Sequence, residues 1–216
     1  MAGNISIVLK IIQKQVKPFV TPSVTLFSRK SNHYLVLVSC ILSLRTKDKT
    51  TIEASKRLFN LADNPKKMVK LSQAKLEKII YPVGFYRNKA RVLKEISLRI
   101  MRDFTGRVPN NLDDLLSFKG VGRKTANLVL GLGFGIPAIC VDTHVHRISN
   151  RLGWVRSKNP FDTELALEKI IPRRCWIESN TILVGFGQNI CLPISPLCSN
   201  CHVRRLCKRV GVKICR

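Results

Sequence analysis

The chain has 216 residues, enough for one large domain or two small ones sharing a boundary, and 45% of them are hydrophobic; a packed core is feasible and global disorder is argued against. Lys and Arg number 38 against 13 Asp and Glu, a formal charge of +25. Self-repulsion on that scale fits a polyanionic partner, nucleic acid ahead of an anionic membrane surface, and the absence of any apolar run of roughly 18 residues argues against a membrane-spanning helix. Acids occur neither before Asp48 nor after Glu178, so both ends are purely basic, and termini that meet in the fold would form one positive surface.

Ile5, Leu9, Ile12 and Val16 fall on one helical stripe with Lys10, Lys14 and Lys17 on another face, the pattern of an amphipathic helix rather than a targeting peptide. Residues 33–43 are nearly all apolar and fit a buried helix, although their β-branched content leaves a strand open. Asp48 reads as the N-cap of a helix over Lys49–Asn60, and Ser72 as the cap of the next, which runs to Ile80 before Pro82 and Gly84 break the chain. A longer helix spans Phe85 to Phe104, with Ala90, Leu93, Ile96, Ile100 and Phe104 at helical spacing. Asn111–Ser117 is short, Gly120-Val121-Gly122 forces a turn, and Arg123 to about Leu132 is helical again. Asp142 caps a helix whose buried stripe is Val141, Val145, Ile148 and Leu152, and two more helices follow near 161–171 and 176–188. No segment alternates with period two between hairpin turns. The class is all-α.

Leu112 to Ala126 places two short helices around Gly120-Val121-Gly122. Glycine reaches positive φ without a Cβ penalty and lets a foreign backbone approach closely. The turn also presents the free N–H groups at the start of the second helix, which with the helix dipole favour phosphate. Followed by Arg123-Lys124, this is a good match to a helix–hairpin–helix DNA-binding element.

Eight cysteines are present: Cys40, Cys140, Cys175, Cys191, Cys198, Cys201, Cys207 and Cys215. Four crowd the C-terminal region as Cys191-x6-Cys198-x2-Cys201-x5-Cys207, with Pro193 and Pro196 holding the first interval extended. That distribution favours a metal site in a reducing compartment over disulfides. Four thiolates suit zinc as well as iron, and cysteine identity alone does not separate them.

Phe118-Lys-Gly-Val-Gly-Arg-Lys-Thr-Ala-Asn127, followed by Val141-Asp-Thr-His-Val-His-Arg147, resembles the endonuclease III family of DNA glycosylases, and the likeness covers the chain from about Tyr34 to Cys207. Lys119 departs from the family's usual Pro. The resemblance implies that Lys124 attacks the anomeric carbon of the damaged nucleotide, expels the base and forms an imine that permits strand cleavage by β-elimination. Desolvation, the helix N-terminus and the neighbouring cation Arg123 are expected to disfavour its ammonium form. Asp142 is implied as the catalytic carboxylate, stabilising positive charge on the sugar and assisting proton transfer, beside its reading as an N-cap. The cysteine spacing matches the family's [4Fe–4S] loop, whose role is structural. Cys40, Cys140, Cys175 and Cys215 read as core or incidental thiols, and His144 and His146 as packing or phosphate-contacting residues.

Base removal requires that the base leave the stack and that something fill the hole. Leu42-Ser-Leu-Arg-Thr-Lys-Asp48 resembles one void-filling loop of the family, with Arg45 where bacterial members usually have Gln. Val83-Gly-Phe-Tyr86 resembles the other, with Phe85 as the apolar wedge; core packing is the competing reading of Phe85. DNA-binding residues are therefore expected at Arg45, Phe85, Gly120, Gly122 and Arg123. The segment between Cys191 and Cys198 lacks the family's usual basic residues, so phosphate contact is expected from His202, Arg204, Arg205, Lys208 and Arg209.

The expected architecture is a six-helix domain over residues 33–136, with the hairpin at 112–126, and a second helical domain built from 1–32 and 137–216 around the cluster, the active site lying in the cleft between them. The expected activity is that of a bifunctional glycosylase and abasic-site lyase removing oxidised pyrimidines in base excision repair. It would act as a monomer on double-stranded DNA, with no membrane partner, in the cytoplasm with the chromosome or in the nucleus of a eukaryote. Two alternatives stand beside it. Glycosylases for mismatched bases usually lack the lysine, so Lys124 argues against the first, excision of a mismatched or differently damaged base. Asp142 argues against the second, a non-catalytic DNA-binding module.

Overall fold

The computed structural model describes residues 2–19, 22–28 and 32–216, with the backbone alone for residues 2–4. These residues form two compact units, one from Ser23–Ile136 and one from Met1–Pro22 with Pro137–Arg216. All regular elements among the described residues are helical.

The Ser23–Ile136 unit contains α2 (Ser23–Ser28), α3 (His33–Ser43), α4 (Asp48–Leu61), α5 (Pro65–Lys70), α6 (Gln73–Ile80), α7 (Tyr86–Asp103), α8 (Leu112–Leu116) and α9 (Arg123–Leu128), the last continuing into a π-helical turn at Val129–Gly133. Its centre is α3, where every residue from Tyr34 to Leu42 is buried. A helix buried on all sides has no polar face, so hydrophobic periodicity does not distinguish it from a strand. The side-chain oxygen of Asn32 accepts from the N–H groups of Tyr34 and Leu35 and starts α3. Helices α2, α4, α7 and α9 pack around it. On α7 the stripe Ala90, Leu93, Ile96 and Ile100 is buried, each large apolar side chain contributing about 1.5–3 kcal/mol.

The start of α4 differs from the sequence expectation. Lys47 occupies the cap position, Asp48 lies in the first turn, and the Asp48 carboxylate accepts from Ser23 Oγ at 2.7 Å. Asp48 is thus committed to tying α2 to α4. Helices α2 and α5, of six residues each, are too short for a periodic signature, although Asn64-Pro65 supplies a capping side chain and a proline at the first turn of α5.

The second unit comprises α1 (Ala2–Val16), α10 (Thr143–Leu152), α11 (Pro160–Ile170) and α12 (Trp176–Asn189), with 3₁₀ turns at Arg173–Cys175 and Arg204–Leu206. Ile5, Leu9 and Ile12 of α1 join Val141, Val145, Ile148 and Leu152 in a core shared with Leu183 and Phe186 of α12. Cys191, Cys201 and Cys207 pack against that core from the C-terminal segment. Gln15 on α1 donates to the Asn200 carbonyl and accepts from the His202 N–H, so the two acid-free ends of the chain meet within this unit. No helix among the described residues is long and apolar enough to cross a membrane.

Candidate functional site

The hairpin between α8 and α9 assigns different tasks to its two glycines. Gly120 lies at φ +83°, and a Cβ there would come within 3.2 Å of Val92 Cγ1, so both backbone conformation and space demand glycine. Gly122 has an extended backbone, at φ −93° and ψ 174°, and a Cβ there would meet nothing within 4 Å. Its value is the open approach to the start of α9. Lys124 stands at the second position of α9 and is exposed, while Thr125 to Leu128 behind it are buried. The buried face of α9 begins at Thr125, and Lys124 lies on its outward side. The Cys40 thiol, pushed up to about 12 by burial, feels the opposing pull of the Lys124 charge.

Two loops of the same unit bring Arg45 and Phe85 together. Arg45 has φ +51° and Phe85 φ +56°, conformations rare for residues with side chains. The Arg45 guanidinium carbon lies 5.7 Å from the Phe85 ring centroid. Phe85 is 63% exposed, so core packing, the competing reading of this residue, does not describe it. With Ile41, Leu44, Asn88, Lys89, Val92 and Gly120 they line a cavity of about 400 Å³.

In the other unit, Asp142 heads α10. One carboxylate oxygen accepts from the N–H groups of His144 and Val145, both at 2.9 Å, as its capping role requires. His146 bonds Thr163 Oγ1 at 2.6 Å, and His144 accepts from the Arg147 guanidinium at 3.1 Å. Arg147 also donates to the carbonyls of Gly187 and Cys191. One turn later, Arg151 donates to the carbonyls of Leu192 and Pro193, both at 2.6 Å.

Cys191, Cys198, Cys201 and Cys207 line a single cavity of about 30 Å³ together with Leu152, Phe186 and Val203. Cys191 Sγ accepts from Arg151 at 3.5 Å, and Cys207 Sγ from the Arg209 N–H at 3.3 Å. Burial pushes the Cys201 thiol up to about 11. Among the described residues no three His, Cys, Asp or Glu side chains are grouped closely enough to hold a metal ion. Cys215, expected as a core or incidental thiol, is exposed, and after burial it is the next cause that holds the Cys198 thiol above its ordinary value. The chain end is paired there, with the Ser199 N–H donating to the Arg216 carbonyl and the Arg216 N–H to that of Pro196. Beyond the loop, His202, Arg204, Arg205, Lys208 and Arg209 are all exposed.

The chain matches the HhH-GPD superfamily of base excision DNA repair proteins over residues 38–173. It is 46% identical over 180 residues to endonuclease III of Thermotoga maritima, covering 83% of this chain and 84% of that one. A structure described as a non-covalent endonuclease III–DNA complex superposes with a TM-score of 0.84 at 33% identity, covering 97% of this chain and 96% of that one. A trapped endonuclease III–DNA covalent intermediate superposes with a TM-score of 0.81 at 32% identity and the same coverage. The chain spans about half the length of the plant relatives that also match. Fold and motifs together define the class, an all-helical base-excision repair protein. Within that superfamily the chain belongs to the endonuclease III family, and its activity is that of a DNA glycosylase and abasic-site lyase.

Proposed function

We propose that this chain removes oxidised pyrimidines from duplex DNA and cleaves the strand at the resulting abasic site, with Lys124 as nucleophile and Asp142 as catalytic carboxylate. The observation that carries the proposal is the exposed Lys124 amine directly behind the glycine hairpin, where Gly122 leaves the approach to α9 open. A phosphate seated on the hairpin, contacted by the backbone around Gly120 and Gly122 and by Arg123, sets the neighbouring sugar within reach of Lys124. The amine attacks the anomeric carbon as the base departs, and the imine it forms acidifies the adjacent sugar position for β-elimination. Asp142 stabilises the positive charge that develops on the sugar and serves proton transfer. Bound DNA excludes water at Lys124 and so disfavours its ammonium form.

Cys191, Cys198, Cys201 and Cys207 hold a [4Fe–4S] cluster in this reading. The donor set suits it: four soft thiol ligands line one cavity, two of the sulfurs already accept N–H bonds, and the Arg151 guanidinium stands at Cys191 to offset anionic charge. When bound, the cluster supplies structural order to the C-terminal segment and no step of the reaction. The exposed cations after Cys201 then track the phosphate backbone. An enzyme of this kind works beside the chromosome, in the cytoplasm of a bacterium or the nucleus of a eukaryote. Incubation with a panel of duplexes, each holding one lesion, tests the substrate class: preferential release of oxidised pyrimidines is expected, and release confined to mismatched or alkylated bases contradicts it.

A further inference from the structure

Lys89 lies in the first turn of α7 and is only 6% exposed. A buried lysine is costly unless its charge is well solvated by protein groups. Here the ammonium spends all three donors on one small region: the Leu42 carbonyl at 2.8 Å, the Leu44 carbonyl at 2.5 Å and Thr46 Oγ1 at 3.1 Å. Leu42 belongs to the last turn of α3 and Leu44 ends it, so two of these acceptors are carbonyls that the helix terminus itself leaves without an intrahelical partner.

The third acceptor extends the brace to the second loop. Thr46 Oγ1 donates to the Leu44 carbonyl and accepts from the Gly84 N–H at 3.1 Å. The loops approach so closely that a Cβ on Gly84 would lie 2.6 Å from the Arg45 carbonyl oxygen. Arg45 directly precedes Thr46, and Phe85 directly follows Gly84. Both adopt left-handed backbone conformations, which persist only where surrounding structure over-determines them. The Lys89–Thr46–Gly84 bridge is that structure, and Lys89, Arg45 and Phe85 line the same cavity.

We infer that Lys89 is a positioning residue for lesion reading: by clamping the 42–46 and 83–85 loops together, it presents Arg45 and Phe85 as one paired wedge to the duplex. The inference rests on the proposed function, in which those two side chains fill the space left by the extruded base. Lys89 touches neither DNA nor the reacting atoms. Its effect reaches the substrate through the pose of the pair, and misplacement of a reading group by an ångström is enough to cost a large factor in rate.

The test uses the full chain and a duplex in which 2-aminopurine faces a non-cleavable tetrahydrofuran abasic analogue, so that insertion of the wedge changes fluorescence without any chemistry. Lys89→Met keeps the stem but donates no hydrogen bond, and Lys89→Arg keeps the donors. Thr46→Val removes the bridge without touching the lysine and covers the case in which Lys89→Met fails to fold. Lys89→Met and Thr46→Val are expected to bind the duplex with near-wild-type affinity while losing most of the fluorescence change. Their excision from lesion duplex should fall on the order of tenfold to a hundredfold more than nicking at a preformed abasic site. Lys89→Arg should restore much of both. A wild-type fluorescence change in Lys89→Met or in Thr46→Val, or equal losses of excision and nicking, would overturn the inference and leave the lyase reading intact. No fluorescence change with wild type overturns the paired wedge itself, and absence of excision and nicking by wild type is the separate failure of the proposed function.

Discussion

Arg45 and Phe85 meet as a cation–π pair, guanidinium carbon to ring centroid 5.7 Å, although 40 positions separate them in sequence and each has positive φ. Phe85 is 63% exposed, so its ring is available to something outside the chain. Phe85→Ala should therefore leave thermal stability nearly unchanged, within about 0.5 kcal/mol as for other surface substitutions. Excision from lesion duplex should drop more than nicking at a preformed abasic site, since no base has to be extruded there. A large loss of stability, or equal losses on the two substrates, contradicts the wedge reading.

Burial lowers the Lys89 ammonium from its ordinary value to about 8. Arg45 is the only other charged side chain lining its cavity among the described residues. Between about pH 8 and the ordinary lysine value of 10.5 the unfolded chain holds a proton that the folded chain lacks, so this group makes stability rise with pH across that window. Urea denaturation at several pH values should show wild type gaining on Lys89→Met above pH ~8. A constant difference between the two proteins across the window contradicts the assigned titration.

The C-terminal cysteine loop carries a compositional prediction. The purified protein should be yellow-brown, with roughly four irons per chain. Cys198→Ser should lower both iron content and stability, because ligand binding and folding of the loop are coupled. A colourless protein with stoichiometric zinc contradicts the cluster.

The +25 charge predicts DNA affinity that falls linearly on a log–log salt plot, with a slope of roughly −0.9 per phosphate neutralised. Replacing the exposed Arg204 and Arg205 with Ala should make that slope shallower by about one for each phosphate the arginines no longer neutralise. A slope unchanged by the double substitution removes this segment from the interface.

Much of the helical architecture is legible where periodicity and capping chemistry coincide. The stripe of Ile5, Leu9 and Ile12 gives α1, and Asp142 and Ser72 mark helix starts with side-chain oxygens that do accept the expected N–H groups. Capping is ambiguous where a competitor exists, as at Asp48, whose carboxylate is drawn to Ser23 from outside its own helix. Helix α3 is hard to read because burial on every side erases the amphipathic pattern. Lys124, Asp142 and the four cysteines are legible as candidates because motif spacing is a local property. The exposure of Phe85 depends on tertiary placement and leaves no local trace. Lys89 does leave one, since it shares the helical face of Leu93, Ile96 and Ile100, where a charged residue has to find partners inside.

In the proposed reaction the Lys124 amine forms the covalent link to DNA. Asp142→Asn preserves the cap, because Asn and Asp head helices about equally well, and should slow base removal on the order of 10² or more while DNA binding persists. The most direct measurement is borohydride trapping during reaction with an abasic-site duplex, comparing wild type with Lys124→Gln. Wild type should yield a covalent protein–DNA adduct, and Lys124→Gln should bind the duplex yet yield none. An adduct formed equally well by Lys124→Gln assigns the nucleophile to another amine, and a wild type that excises bases without ever trapping is a glycosylase without lyase activity.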